Sequence, residues 1–198
     1  MRVIAGSARN TPLDAGPNPA TRPFLELARG ALMNALAPRL AAAPRVLDVY
    51  AGSGALGIEA LSRGAASAVF VECDPATVRT LEANLRRCRL AETARVLSGR
   101  AESRLPELAR VAPGTIDLAF VDPPFADARD WTADPAGQAV VNAIARLLAP
   151  DGLVSFRLEK EKSDPPAWES LALLRDRSYG RSRVCWYVKP ELETPDAP

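Results

Sequence analysis

Hydrophobic and polar positions follow two periods along this chain, and from residue 45 onward the two periods alternate. Short apolar runs of strand length occur at 45–50, 68–72, 94–98, 116–122 and 153–159. Between these runs, apolar residues recur at helical spacing in segments 55–63, 75–88, 101–110 and 135–148. Strands that alternate with helices build a parallel sheet with helices on both faces. The pattern therefore predicts an α/β fold.

Both ends of the chain depart from this alternation. Residues 2–6 predict a small strand, and residues 24–36 have the spacing of a helix. The Pro- and Gly-rich segment 14–23 predicts a loop between them. Residues 171–190 leave no room for a crossover helix and predict two antiparallel strands that turn near Gly180. We expect an N-terminal extension over 1–40, a domain over 41–190 and a disordered tail over 191–198.

Length and charge narrow the class of protein. The 198 residues, 47% of them hydrophobic, are enough for one buried core and too few for two ordinary domains. The net charge is only +1, but residues 1–40 carry five Arg against two acidic residues. Residues 171–190 carry four Arg and Lys189 against Asp176. A nucleic acid would therefore be bound by these two basic ends rather than by an overall field.

The absence of one residue type and the spacing of another exclude several chemistries. The chain has no histidine, which excludes His-containing triads, imidazole acid–base chemistry and His-ligated metals. Cys73, Cys88 and Cys185 lack CxxC spacing, so neither a disulfide framework nor a metal site is predicted. We find no signal peptide and no apolar run of membrane-spanning length, so we expect a cytoplasmic protein without a membrane partner.

A glycine-rich turn follows the first strand of the alternating region. Asp48 ends that strand, and Gly52, Gly54 and Gly57 lead into the next helix, which is typical of nucleotide-binding turns. We expect positive φ angles in this turn, and we expect a Cβ at Gly52 or Gly54 to block the ligand. The same spacing marks nicotinamide and flavin sites, so the glycines alone do not identify the ligand.

Two carboxylates favour S-adenosylmethionine (SAM) over a dinucleotide. Asp48 can receive the cationic amino group of methionine, whereas it would repel a pyrophosphate. Glu72 ends the next strand, where a carboxylate can accept hydrogen bonds from both ribose hydroxyls. Dinucleotide enzymes share that second feature, so Glu72 indicates adenosine without choosing between the two ligands. The other predicted contacts of the cofactor in this region are Ala51, Ser53 and Cys73.

The segment Asp122-Pro123-Pro124-Phe125 lies at the carboxyl end of the fourth predicted strand, where open α/β sheets have their active sites. We interpret this segment as a site that binds the exocyclic amine of a nucleic-acid base. Such an amine is a poor nucleophile because its lone pair is delocalised into the ring. We expect Asp122 and the Pro123 carbonyl to accept its two N–H groups, Pro124 to rigidify the turn, and Phe125 to stack on the extruded base. Methyl transfer from SAM would then be an in-line displacement, accelerated mainly by positioning.

Residues 51–65, VFVECD and VDPPF together resemble the bacterial 16S ribosomal RNA (guanine-966-N2)-methyltransferase family. More loosely, RVIAG, Thr21–Pro23 and RSYGRSRV resemble its opening strand, its Arg-Pro turn and its closing hairpin. The resemblance implies a Rossmann-like Class I SAM-dependent methyltransferase fold, a seven-stranded and mostly parallel sheet with a C-terminal antiparallel hairpin and a small N-terminal strand/helix extension. It also implies SAM as methyl donor, a monomer, and a role in rRNA processing. The implied acceptor is guanine N2 of 16S rRNA, in the small ribosomal subunit or its assembly intermediate.

The chain departs from this family at two places. After Pro23 the family usually continues with two Thr, an Asp and an Arg, whereas residues 24–27 are Phe, Leu, Glu and Leu, which alters the RNA-contact region. After the third strand, Arg100 precedes Ala101 where the family usually has Asp or Asn. We therefore expect the backbone of Ala101 to contact adenine while Arg100 points outward. The candidate phosphate contacts are Arg2, Arg9, Arg22, Arg29, Arg181 and Arg183.

Three alternatives stay open at this point. The segment 122–125 would orient any exocyclic amine, so N6 of adenine in RNA or DNA is an alternative acceptor. A nicotinamide-dependent oxidoreductase would use the glycine turn, but the chain lacks an evident proton donor of the Tyr-x-x-x-Lys kind. A non-catalytic RNA-binding module with a relict SAM pocket is favoured only by the altered N-terminal segment.

Overall fold

A seven-stranded sheet forms the centre of the computed structural model, which describes residues 1–16, 26–123, 134–159 and 164–190. The strands are β1 (Arg45–Val49), β2 (Ser67–Glu72), β3 (Ala94–Ser98), β4 (Ile116–Val121), β5 (Leu148–Glu159), β6 (Ala172–Tyr179) and β7 (Ser182–Val188). Their order is β3-β2-β1-β4-β5-β7-β6. Strands β1 to β5 pair in parallel, and β7 is antiparallel to both β5 and β6. The predicted mostly parallel sheet with a C-terminal hairpin is confirmed.

Among the described residues, four helices connect the parallel strands, as the alternating pattern predicts, and two precede β1. They are α1 (Glu26–Ala35), α2 (Ala37–Ala41), α3 (Ala55–Ser62), α4 (Pro75–Arg87), α5 (Ala101–Val111) and α6 (Pro135–Leu147). Helix α2 is absent from the sequence-based prediction because Pro38 interrupts the apolar spacing, yet a proline is well tolerated in the first helical turn. Strand β5 begins earlier than predicted, at Leu148, and its register with β4 shifts between Ile116 and Leu118.

The two faces of the sheet pack against different helices. One face packs side chains such as Phe70 and Phe120 against α1 to α4 and against residues 1–16. We call residues 1–16 the arm and this face the arm face. The other, here called the α5–α6 face, packs Val71 and Val121 against α5, α6 and Trp168. Consecutive strand residues point to opposite faces, so nearly every position of the central strands is buried, as expected for a parallel sheet covered on both sides.

The N-terminal segment is attached to α3 by a buried carboxylate instead of forming the predicted strand over 2–6. Within residues 1–16, an isolated antiparallel bridge joins Arg2 and Pro12. The backbone N–H groups of Ile4 and Ala5 donate to Glu59 over 2.8 and 3.0 Å. The prediction of a strand is therefore wrong, because these donors are satisfied by a side chain of α3 rather than by a neighbouring strand.

The next residues of the arm lie against the end of α3. The N–H of Ser7 donates to the carbonyl of Ser62 over 2.7 Å, and the Ser62 hydroxyl accepts from the N–H of Ala8 over 3.0 Å. Gly6 makes this close approach possible, because its φ is +86° and a Cβ there would lie 1.7 Å from the Ser62 carbonyl oxygen. Alanine at position 6 would require the arm to move away from α3.

Replacing Gly6 by Ala should destabilise the protein more than the same change at Gly114. Both glycines have positive φ, +86° and +68°, but a Cβ at Gly114 would have no atom within 4 Å. The backbone penalty alone is about 1–2 kcal/mol, and overpacking adds about 1–3 kcal/mol at position 6. Urea unfolding of the two variants measures the difference. Equal losses of unfolding free energy would contradict the close attachment of the arm.

Candidate cofactor and catalytic site

Backbone hydrogen bonds bring four segments together at the carboxyl edge of the parallel strands. The N–H of Ala51, in the glycine turn, donates to the carbonyl of Val71 over 3.0 Å. The N–H of Gly99, which precedes the Arg100-Ala101 pair, donates to the carbonyl of Glu72 over 2.9 Å. The N–H of Asp122 lies 3.4 Å from the carbonyl of Val49. The structure therefore places the predicted cofactor and catalytic segments at one edge of the sheet.

Each glycine of the turn is needed for a different structural reason. Gly52 and Gly54 have φ angles of +56° and +83°, so the expected positive φ is confirmed. A Cβ at Gly52 would enter open space, which leaves its backbone accessible to a ligand. At Gly54 a Cβ would lie 2.2 Å from Leu81, and at Gly57 it would lie 2.3 Å from Phe70. The expectation that a Cβ at Gly54 would block the ligand is wrong, because that Cβ would meet the Leu81 side chain of α4 instead.

Asp48 is an almost fully buried carboxylate beneath this turn. Its side chain accepts a hydrogen bond from the N–H of Gly57 over 2.8 Å, in the first turn of α3. Burial raises the pKa of Asp48 well above its usual range, the N–H of Gly57 opposes that rise, and the carboxylates of Asp122 and Glu72 add to it. A ligand with a positively charged group would be stabilised at this edge.

Glu72 connects the end of β2 to the glycine turn. One carboxylate oxygen accepts from the N–H of Gly52 over 2.8 Å, and the other accepts from the N–H groups of Cys73 and Asp74 at 2.9 Å. A carboxylate has about four acceptor positions, so these three bonds leave capacity for a further donor. Asp74 also caps α4 by accepting from the N–H of Thr77 over 2.8 Å.

Asp122 forms an ion pair that the sequence analysis missed. Its Oδ1 atom lies 2.5 Å from Nε of Arg157 on β5, and the two side chains are only 19% and 10% exposed. Burial raises the pKa of Asp122, whereas Arg157 opposes that rise. Within the described residues, Oδ2 of Asp122 has no hydrogen-bond partner, so it can accept a donor from a substrate. The one signal in the sequence that could have identified Arg157 is the alternation within LVSFRLE, which puts this charged residue at a buried position of β5.

A second missed residue, Asn84 of α4, connects the arm to the glycine turn. Its side chain is fully buried, and its amide nitrogen donates to the carbonyls of Asp14 and Ser53 over 2.9 and 3.0 Å. Its amide oxygen accepts from the N–H of Asp14 over 2.9 Å. Asn84 therefore fixes the position of the arm relative to the turn that contains Ser53.

The Arg100-Ala101 pair lies beside Glu72. Ala101 is buried as the first residue of α5, whereas the Arg100 side chain is exposed and pairs with Glu102 at 3.4 Å. The expectation that Arg100 points outward is confirmed. Pro123 is buried directly after Asp122. Three other predicted site residues, Pro124, Phe125 and Arg22, lie outside the described residues.

Among the candidate phosphate contacts, the prediction for Arg29 is wrong. Its side chain is fully buried, and its guanidinium donates to the backbone carbonyl of Arg2 and to the Met1 sulfur. Burial lowers the pKa of Arg29, and the nearby Glu59 opposes that shift. A guanidinium enclosed in this way does not reach an RNA phosphate, so its function is to hold the arm.

The other candidate arginines are at the surface or partly so. Arg9 and Arg181 are exposed, and Arg2 is exposed with Glu26 at 3.1 Å. Arg183 is half-buried and pairs with Asp176 at 2.6 Å. Among the described residues, no cluster of Cys, Asp and Glu could hold a metal ion, and no helix has the length and apolar character to span a membrane.

The sheet order, the hairpin and the site at the carboxyl edge define the fold of the class I methyltransferases. The structure of the Escherichia coli protein "Putative methyltransferase yhhF" is similar, with a TM-score of 0.74 and 33% identity over 96% of this chain and 97% of that one. The chain belongs to the family described as Conserved hypothetical protein 95, whose profile matches residues 1–188.

Relatives in this family have names that refer to ribosomal RNA. The Bacillus subtilis (strain 168) protein "Putative rRNA methyltransferase YlbH" is 32% identical over 191 residues, which cover 96% of this chain and 99% of that protein. The Escherichia coli (strain K12) protein "Ribosomal RNA small subunit methyltransferase D" is 42% identical over 126 residues, which cover 63% of this chain and 60% of that protein.

Replacing Asp48 by Asn should stabilise the ligand-free fold near neutral pH. Because burial raises the pKa of Asp48, the folded protein retains a proton over a pH range in which the unfolded chain has lost it. Stability therefore falls as the pH rises through that range. Asn removes this loss and can still accept from the N–H of Gly57. Urea unfolding should show a higher unfolding free energy near neutral pH, with the gain shrinking toward about pH 4.

The matched control is Asp117→Asn, for which the opposite sign is expected. The Arg45 guanidinium, 2.9 Å from Asp117, lowers the pKa of that carboxyl, so its ionised form stabilises the fold above its usual pKa. The Asp117 variant should be slightly less stable than the parent near neutral pH. A loss of stability in Asp48→Asn as well would contradict the destabilising role assigned to Asp48.

Proposed function

We propose that this protein is a SAM-dependent methyltransferase that modifies the exocyclic N2 of a guanine in small-subunit (16S) rRNA. The observation that carries the proposal is the placement of Asp122, with an acceptor oxygen available, at the same sheet edge as the glycine turn and Glu72. Membership of a family with relatives named as rRNA methyltransferases supports the substrate class. We further propose that the protein acts in the cytoplasm, as a monomer, on the small subunit or its assembly intermediate.

The residues at this edge fit SAM by charge and by shape. Asp48 would attract the ammonium group of the methionine part, because its carboxylate lies near those of Asp122 and Glu72. Glu72 has acceptor capacity for ribose, and the open side of Gly52 allows a ligand to approach the backbone. A nicotinamide cofactor would bring a pyrophosphate toward the same carboxylates, which repel it. SAM would supply an electrophilic methyl group on its sulfonium.

The residues after β4 provide the means to orient an amine. Oδ2 of Asp122 would accept one N–H of the base amine, and the carbonyl of Pro123 would accept the other. These two bonds hold the nitrogen with its lone pair directed at the methyl carbon, which is the main source of acceleration. After the transfer, the methylated amine is acidic, and Asp122 or water accepts its proton. Phe125 remains our expectation for stacking on the base.

Arg157 has a positioning function in this proposal. It fixes one oxygen of Asp122 and leaves the second for the substrate, and it favours the ionised carboxylate against burial. The RNA itself would be bound outside the site around Asp122. The candidate contacts on the N-terminal extension and the hairpin turn are Arg2, Arg9, Arg22 and Arg181.

The first test is transfer of labelled methyl from SAM to unmethylated small ribosomal subunits and, in parallel, to protein-free 16S rRNA. We expect N2-methylguanosine at one mapped position. Asp122→Ala should lower the rate by about 10²-fold or more while SAM affinity, measured by calorimetry, changes little. Label in N6-methyladenosine would assign another base, and a variant that loses SAM binding would show that Asp122 belongs to the cofactor site.

The pH dependence tests the function of Arg157. Asp122 is flanked by Asp48 on β1 and by Arg157 on β5. Because Arg157 is the cation of this pair, its removal should raise the pKa of Asp122 further. In Arg157→Met, the acidic limb of the pH profile of kcat/KM should therefore move to higher pH. Arg157→Lys, which keeps a cation, should restore the parent limb. An unchanged limb in the Met variant would remove Arg157 from the catalytic arrangement.

A further inference from the structure

The strand register aligns the proposed catalytic carboxylate with an arginine on the outermost strand of the hairpin. Arg157, which pairs with Asp122, lies opposite Val184 of β7, and Val184 lies opposite Arg177 of β6. Residues directly opposite one another in neighbouring strands point to the same face of a sheet. Asp122, Arg157, Val184 and Arg177 therefore form one row. Val184 packs in the core of the arm face, so the whole row belongs to that face.

The neighbouring row has the same arrangement. Phe120 lies opposite Ser155, Ser155 opposite Trp186, and Trp186 opposite Arg175. The Arg175 guanidinium lies over the Trp186 ring, with 4.7 Å between the guanidinium carbon and the ring centroid. This contact holds Arg175 on the arm face, beside Arg177.

Arg183 lies on the opposite face of the hairpin. It follows Ser182 and precedes Val184, so alternation along β7 directs it away from the arm face. Its Nε atom is 2.6 Å from Asp176, which lies opposite Cys185 of the α5–α6 core. The charge of Arg183 is thus largely compensated, and its face is turned from Asp122.

Arg175 and Arg177 are exposed, and among the described residues neither has a carboxylate within salt-bridge distance. Three strand intervals separate β6 from β4, which amounts to roughly 14 Å across the sheet. This is a distance over which the nucleotides next to a base held at Asp122 can extend. An uncompensated guanidinium pair at this distance is complementary to the phosphates of such a strand.

We propose that Arg175 and Arg177 form a phosphate-binding rim for the single-stranded RNA that flanks the target nucleotide, and that Arg183 is not part of it. The inference rests on the proposed function and specifies where its substrate lies. The flanking RNA is single-stranded because a base must leave its stack to reach a buried carboxylate. The flanking RNA would then reach from the nucleotide at Asp122 to the exposed edge of the sheet at β6.

The test compares five variants with the parent in binding to protein-free 16S rRNA across a salt series. Arg177→Ala should weaken binding about tenfold at low salt and reduce the slope of log affinity against log salt by about 0.7. The double variant Arg175→Ala/Arg177→Ala should lose more, and Arg177→Lys should recover most of the slope. Arg110→Ala is the matched control, since Arg110 is an exposed residue of α5 behind the opposite face.

Kinetics and stability separate binding from folding. In Arg177→Ala, KM for RNA should rise while KM for SAM and the melting temperature stay at the parent values. Parent-like RNA binding by Arg177→Ala, or an equal loss in Arg110→Ala, would overturn the rim. So would a larger loss in Arg183→Ala than in Arg177→Ala. If the parent methylates neither protein-free 16S rRNA nor small subunits, the proposed function fails as well, which distinguishes the two failures.

Discussion

The burial of Asp48 beside two further carboxylates at one sheet edge constrains the arrangement of the site. Parallel pairing of β1 with β2 and β4 brings Asp48, Glu72 and Asp122 together, because the carboxyl ends of these strands meet there. Each carboxylate is stabilised differently. Asp48 and Glu72 accept backbone N–H groups from the glycine turn, and Asp122 pairs with Arg157. The negative potential that remains is what makes the edge suitable for a cationic ligand.

Buried polar side chains that bond distant backbone groups also attach the arm to the domain. Glu59 accepts from the N-terminal backbone, and Asn84 bonds both the end of the arm and the glycine turn. Leaving such buried partners unsatisfied costs about 1–3 kcal/mol each. The arm is therefore part of the domain's folded core, and its end at Asp14 is fixed relative to the proposed cofactor site.

The parts of the fold that could be predicted from sequence are those defined by local patterns. Strands β1 to β4, helices α3 to α6 and the hairpin follow from periodicity, and the positive φ of Gly52 follows from residue type. The residues that were missed act through partners far along the chain. Arg157 meets Asp122 across 35 residues, and Asn84 meets Asp14 across 70. Arg29 illustrates the converse, since a basic residue on an amphipathic helix can lie inside when the arm folds over it.

After a register shift between Leu173 and Arg175, the residues of β6 alternate between the two faces of the sheet. Asp176 faces one side, where it compensates Arg183 and supports the hairpin, while Arg175 and Arg177 face the other. Substitutions at the second set alter the charged surface without disturbing the first, because each position contacts only its own face. Under the proposed function, divergence at Arg175 and Arg177 would alter which nucleic-acid strand is accepted while the sheet and the methyl-transfer chemistry stay the same.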